Sequence, residues 1–496
     1  MINTRRLVSN ATVSVAQTII SGLVLFLLYR YLIDQLGVEQ IGLWSVVLAS
    51  TSVARLSDMG LTGSVVKFVA RYRALREDVQ AAHVVQTAAI SVAAVMSVLC
   101  IAVYPLLDNV LALAVPEESM AQAVSILPWA VFSLWLGSVS GVFQSGLDGC
   151  QRMDIRNILM IICNLLFMVA VLWLVPNYGL IGLATGQIIQ GVVLLLTSWL
   201  VLRRQLKALS WVPMHWSKAK FKEMFGYAVN FQINSVAILL FDPVIKLLIG
   251  HSGGLSGVAY YEMANQLVIK LRALLIAATQ ALVPAVAELH EAAPEKVREL
   301  YLKAYRMLFF FAIPFYAAIL ICLPVVSIMW IGHIEDQFLL FCMLLTVGWG
   351  LNTLVGPAYF INLGTGNLKW NTISHVSMAV INVILGLLLG SMFGGLGVVI
   401  GAMIALVVAS WFVTFALHKQ YKIPFGMTLP KEHIPLLVVV IISIALSGWV
   451  NFSQLFEQRT LIVSAISIGG FFVLMSVCIW FHPYRNFLQE RFAKRG

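Results

Sequence analysis

The chain has 496 residues, of which 60% are hydrophobic and only 11% charged, with a net charge of +10. A soluble globular domain carries about 25% charged residues, so this composition excludes a water-soluble enzyme or binding module. The positive balance does not point to nucleic acid either, because the sequence contains no polar domain on which a basic face could sit.

A membrane-crossing helix needs about 20 predominantly apolar residues, since the hydrocarbon core is about 30 Å thick. Fourteen stretches qualify. In chain order they lie near 8–32, 40–62, 79–104, 119–145, 152–175, 178–202, 224–250, 257–287, 304–331, 337–362, 367–391, 396–418, 435–451 and 460–481. The pattern predicts an all-α polytopic membrane protein of about 14 transmembrane helices. With the N-terminus in the cytoplasm, the inner segments hold all but six of the 32 Lys and Arg residues. Outer segments hold only Arg459, beside acids such as Asp34, Glu39, Asp108, Glu117, Glu335 and Glu457. That asymmetry follows the positive-inside rule and predicts a bacterial inner-membrane protein with both termini cytoplasmic. The first apolar stretch, after Arg5 and Arg6, is too long for a cleavable signal.

The connections are short, and none is long enough to be a soluble domain. No phosphate-binding glycine loop, metal-ligand spacing or nucleophile elbow occurs, and the six cysteines show no paired spacing. No enzyme, no catalytic residue, no metal and no cofactor is expected; the function is predicted to lie within the helical bundle.

The bundle is predicted to be a repeat. A shift of 215 places Gly179 on Gly394, Gly182 on Gly397, Gly186 on Gly401, Gly141 on Gly356 and Gly149 on Gly364. A shift of 216 places Arg30 on Lys246, Leu32 on Leu248 and Gly37 on Gly253. Six spans per copy is an even number, so both copies start on the same side, as parallel repeats about an axis along the membrane normal. The expected organisation is a six-helix lobe over 1–222, a second over 223–434, and two further helices with a basic cytoplasmic tail over 435–496, the lobes enclosing a central cavity.

Charges within spans point to what that cavity holds. On the second span, Arg55 shares a face with Trp44, Ser45, Thr51, Ser52, Asp58 and Thr62. On the eighth, Glu262, Asn265, Gln266, Lys270, Arg272 and Thr279 cover one half of the wheel. A cation at the bilayer centre costs at least about 2.5–3.5 kcal/mol, so such residues face water, a partner or cargo. Arg55, Lys270 and Arg272 are the leading candidates for binding an anionic group, with Lys246, Arg30, Asn265 and Gln266 as further lining residues. Arg30 faces away from the polar stripe of its own span, so snorkelling to the outer interface is an equal reading. Asp242, at i−4 from Lys246 and followed by Pro243, is the leading coupling residue, and Asp58, Glu262 and His375 are further ion-pair or proton-carrying candidates. A static ion pair at a fixed kink is the competing reading of Asp242.

The run Asp58-x-Gly60-Leu61, then Lys67-x-x-Ala70-Arg71, together with Leu36-Gly37 and Gly42-x-Trp44, resembles the polysaccharide transporter family. That family includes the Wzx-type O-antigen flippases of the multidrug/oligosaccharidyl-lipid/polysaccharide (MOP) superfamily. The resemblance implies translocation of an undecaprenyl-pyrophosphate-linked oligosaccharide from the cytoplasmic to the periplasmic leaflet by alternating access. Its partners would be the polyprenyl-linked glycan, membrane lipids and polysaccharide polymerase or ligase machinery, and its energy source an H⁺ or Na⁺ gradient. Members have cationic central cavities, which Arg55, Lys270 and Arg272 would match. A multidrug antiporter, with the same fold but interior acids, stays open. So does a flippase for a peptidoglycan precursor.

Overall fold

A computed structural model of the chain describes residues 4–52, 60–212, 214–280, 282–429, 431–452 and 461–484. Arg55 and Asp58 lie outside the described residues, as do Glu457, Arg459 and the basic residues of 485–496. Among the described residues the chain is helical, with no strand. The helices are α1 (Thr4–Leu36), α2 (Val38–Thr51), α3 (Leu61–Ala74), α4 (Asp78–Ala112), α5 (Glu117–Gly149), α6 (Met153–Gln205) and α7 (Lys218–Gln280). They continue with α8 (Leu282–Ala292), α9 (Lys296–Ile331), α10 (Asp336–Leu354), α11 (Gly356–Thr365), α12 (Lys369–Gln420), α13 (Ile434–Phe452) and α14 (Leu461–Phe481). Large apolar side chains such as Ile101, Trp173, Met392 and Phe481 are exposed, as suits a surface that meets lipid.

Among the described residues, ten segments are long and apolar enough to cross a membrane. Three of them are double. The 53 residues of α6 would extend about 80 Å as one rod, far beyond a bilayer. Instead α6, α7 and α12 each carry a glycine with non-helical backbone angles, Gly179, Gly254 and Gly394, at which the chain reverses. In α6 the reversal brings Gln190 Nε2 within 2.9 Å of Asn164 Oδ1. Counting both arms, ten and three give thirteen crossings, and the remaining predicted span, 40–62, falls on α2, residues outside the described set, and the start of α3.

The backbone repeats with the sequence. Gly37 (φ 81°, ψ 165°) matches Gly254 (φ 73°, ψ 174°), and Gly179 (φ 56°, ψ −132°) matches Gly394 (φ 63°, ψ −148°). Such angles are open essentially to glycine alone. The partner of Gly37 is thus Gly254 and not Gly253, one residue beyond the predicted register. Packing repeats too. A Cβ on Gly182 would strike the Leu174 carbonyl, and one on Gly397 would strike that of Leu389. Gly149 lies against Val69 and the Val66 carbonyl, and Gly364 against Val286 and the Val283 carbonyl. Both valines therefore move by 217, making α8 the counterpart of α3. By that spacing Arg272 is the sequence counterpart of Arg55.

Two helices depart from the predicted spans. The second span continues as α3 to Ala74, so Lys67, Arg71 and Arg73 lie on a helix and not in a loop. The tenth is broken into α10 and α11 before Pro357, which lacks an N–H and disfavours helical geometry at the residue before it.

By mutual contact the chain divides into one unit of Met1–Glu262 and Gly386–Val398, and a second of Met263–Leu385 and Val399–Gly496. Within the first, Val65, Val69, Val85, Val92, Phe143 and Leu202 form a core that joins α3, α4, α5 and the second arm of α6. Ser14 accepts from Asn157 and Ser21 from Asn164, each at 2.7 Å, so the polar stripe of α1 is spent on holding α6. Within the second, Phe310, Ala317 and Ile321 of α9 pack with Leu436 and Val440 of α13 and Phe471 and Met475 of α14. Those contacts fix the two appended helices on α9.

Candidate functional site

The reversal of α7 at Gly254 builds a charged cluster within the first unit. Lys246 lies eight residues before the turn and Glu262 eight after it, so the two arms bring them face to face. Lys246 Nζ lies 2.7 Å from Asp242 Oδ2 and 2.6 Å from Glu262 Oε2. The Lys246 and Glu262 side chains are each only 11% exposed. Two tyrosines close the cluster. Tyr261 Oη donates to Asp242 Oδ1 at 3.0 Å, and Tyr29 Oη of α1 approaches Glu262 Oε1 at 3.4 Å. The sequence spacing identified the Asp242–Lys246 pair. It did not identify Glu262 as its third member or the tyrosines as donors.

Two carboxylates hold Lys246, so its charge is met by acids of the protein itself. Loss of the Asp242 contact alone would not release it, because Glu262 still holds it at 2.6 Å.

The second unit contains a cation of a different kind. Arg272, on the second arm of α7, donates from its Nη2 to Asn352 Oδ1 at 2.8 Å and from Nε to Thr353 Oγ1 at 3.3 Å. Its guanidinium lies 4.5 Å from the centroid of the Trp349 ring. Tyr316 Oη, at 2.7 Å from Thr353 Oγ1, fixes that hydroxyl in turn. All four partners are neutral, and among the described residues Arg272 has no carboxylate within ion-pair distance. Neutral hydrogen bonds and an aromatic face orient a guanidinium without cancelling its charge. Lys270, half-buried two residues before, makes no hydrogen bond or ion pair among the described residues.

The other predicted residues fall as follows. Asn265 is buried and Gln266 half-buried on the same arm. Arg30 pairs with Asp34 at 3.3 Å with both side chains well exposed, the placement that snorkelling requires. His375 of α12 packs against Tyr359 with ring centroids 5.7 Å apart, and its Nε2 is buried without a hydrogen-bond partner. Among the described residues no group of three or more His, Cys, Asp or Glu is placed to hold a metal ion. Trp349, Asn352 and Thr353 were missed from the sequence, although Asn352-Thr353 is a rare polar pair within an apolar stretch.

Long apolar hairpins in two repeats, with charged side chains held between the helices, define a multi-span membrane protein. The fold agrees with solved structures of membrane transporters. A lipid II flippase, MurJ, in an inward closed conformation superposes with a TM-score of 0.71 over 97% of this chain and 99% of its own, at 13% identity. An inward-facing multidrug resistance MATE transporter of the MOP superfamily gives 0.67 over 80% and 94%, at 18% identity. A MOP superfamily transporter from Pyrococcus furiosus, described as having a binding pocket of reversed polarity, gives 0.59 over 85% and 96%, at 17%. These identities establish the MOP transporter fold. No curated protein matches the chain by sequence. The sequence profile of the polysaccharide biosynthesis protein family matches residues 7–290, and the chain belongs to that family.

Proposed function

We propose that this protein is a flippase that carries an undecaprenyl-pyrophosphate-linked oligosaccharide from the cytoplasmic to the periplasmic leaflet of a bacterial inner membrane. The observation that carries the reading is Arg272, a half-buried guanidinium oriented by Trp349, Asn352 and Thr353 and, among the described residues, left without a carboxylate. A membrane protein keeps such a charge for an anionic partner, and the planar fork suits a pyrophosphate bidentately. Lys270 and the counterpart Arg55 supply further positive charge, and membership in the polysaccharide biosynthesis family supports a lipid-linked glycan as cargo. Asn265 and Gln266 line the same path. Alternating access of the two repeats then moves the anionic head across while the polyprenyl chain stays in lipid, and polymerase or ligase machinery receives the product.

The test is transport of a lipid-linked oligosaccharide in proteoliposomes. Arg272→Ala is expected to abolish it, and Arg272→Lys to restore only part, because an ammonium lacks the fork. Equal transport by wild type and Arg272→Ala would sink the assignment.

The Asp242–Lys246–Glu262 cluster is proposed as the coupling site, since two acids share one buried ammonium across the reversal of α7. Asp242→Asn would then lose the response of transport to an imposed H⁺ or Na⁺ gradient. An unchanged response would return the cluster to a purely structural role.

A further inference from the structure

A cavity of about 590 Å³ lies wholly within the first unit, among α2, α3, α5, both arms of α6 and Leu239 in the first arm of α7. Its size falls within the range of ligand pockets, about 300–1,000 Å³. One wall is a stripe along α5, Ser133, Gly137, Gly141, Gln144 and Asp148, spaced by three or four residues and so on one helical face. Gln187 and Gln190 of α6 face it, and Leu48, Leu134, Leu194 and Leu239 supply apolar surface.

Three features say what would fit. First, Gln144, Ser145 and Gln187 line the cavity and make no hydrogen bond among the described residues. A primary amide offers two donors and an acceptor, and leaving them unused inside a membrane protein is costly unless water or a ligand meets them. Second, among the described lining residues the charges are Asp148 and Arg156, which are paired to each other. The described lining is therefore neutral, which suits uncharged hydroxyl groups. Asp148 nevertheless keeps Oδ1 buried and without a hydrogen-bond partner, an acceptor ready for hydroxyl groups. Third, a Cβ on Gly137 would meet nothing within 4 Å, and one on Gly141 only the Thr62 methyl at 3.7 Å. The glycine face of α5 thus leaves open space that a flat, polar ring can occupy.

We propose that this cavity is a sugar-binding pocket, taking a neutral, hydroxyl-rich ring of the glycan through Gln144, Gln187 and Asp148. The proposal deepens the flippase reading and rests on it for the identity of the ligand. It would let the protein recognise the glycan with groups separate from those that hold the pyrophosphate.

The test uses the full chain in lipid nanodiscs with a panel of free monosaccharides (a hexose, an N-acetylhexosamine, a 6-deoxyhexose and a uronic acid), read by saturation-transfer NMR. At least one sugar should give transfer with the wild type. Gln144→Leu and Gln187→Leu should each weaken it about tenfold, the loss expected for one hydrogen bond whose partner is left unpaired. Gly137→Val, whose Cβ meets no neighbour within 4 Å and whose methyls enter the cavity, should abolish it with thermal unfolding nearly unchanged. No transfer from any sugar, or transfer that survives all three substitutions, overturns the pocket. Binding of sugar-free undecaprenyl pyrophosphate, followed by native mass spectrometry, separates this from the flippase reading. If the bare carrier never binds, that reading fails while the sugar result stands by itself; if it binds equally to wild type and pocket variants, only the pocket is in question.

Discussion

At Lys246 the arithmetic of buried charge makes a directional prediction. Removing the ammonium takes from Asp242 and Glu262 the cation they share across a mostly buried site, and breaking a buried pair in this way costs about 3–5 kcal/mol. Removing one acid instead leaves Lys246 its other carboxylate. Lys246→Met is therefore expected to lower the thermal unfolding temperature far more than Glu262→Gln, and the double variant Lys246→Met with Glu262→Gln to recover part of the loss. Thermal unfolding of purified protein in one detergent checks the order; equal losses in both single variants would show that Lys246 and Glu262 do not interact. Arg272 obeys different logic. Its partners are neutral, so Arg272→Met is expected to leave stability nearly unchanged while removing transport. The contrast between a charge kept for the fold and a charge kept for cargo is measurable at these two positions.

Among the helices, glycine positions carry the most specific information, because the repeat is written in them twice. Gly149 and Gly364 meet equivalent valines in α3 and α8, with a Cβ predicted at 2.7 Å and 2.8 Å from the valine Cβ. Gly149→Ala and Gly364→Ala should each destabilise by about 1–3 kcal/mol through overpacking, and by similar amounts. A loss at one position alone would mean that the two halves pack differently. Gly254→Ala should cost about 1–3 kcal/mol through backbone strain, with no new side-chain clash. The spans and the Asp242–Lys246 pair were legible in the sequence because they depend on composition and on a spacing of four. Glu262 joining that pair was not legible, since it depends on the chain reversing at Gly254 and not one residue earlier. The cradle of Arg272 comes from residues some 80 positions away, and no local pattern encodes which helix will lie beside it. The cavity stripe on α5 was hidden because Ser, Gly and Gln at helical spacing read equally well as close packing between helices.

For the molecule as a whole, charge and repeat make one joint statement. An even number of crossings per repeat puts the start of each on the same side, and the basic residues choose which side. Segments that follow odd-numbered crossings, such as 105–118 and 332–336, carry acids and no Lys or Arg. Segments that follow even-numbered ones carry Arg76, Arg203, Arg204, Lys422 and Lys431. Each misplaced Lys or Arg would have to cross the hydrocarbon core during insertion, and the bias makes the opposite orientation the costlier one. Alkaline phosphatase, active only after export, is therefore expected to be active when fused after Val115 or His333 and inactive after Arg76, Leu206 or Thr428, with green fluorescent protein giving the reverse pattern. Inverted results at all five sites would reverse the orientation and leave the fold intact. A reversal at Thr428 alone would mean that the second repeat does not return to the side on which it starts, and the even number of crossings per repeat would fall.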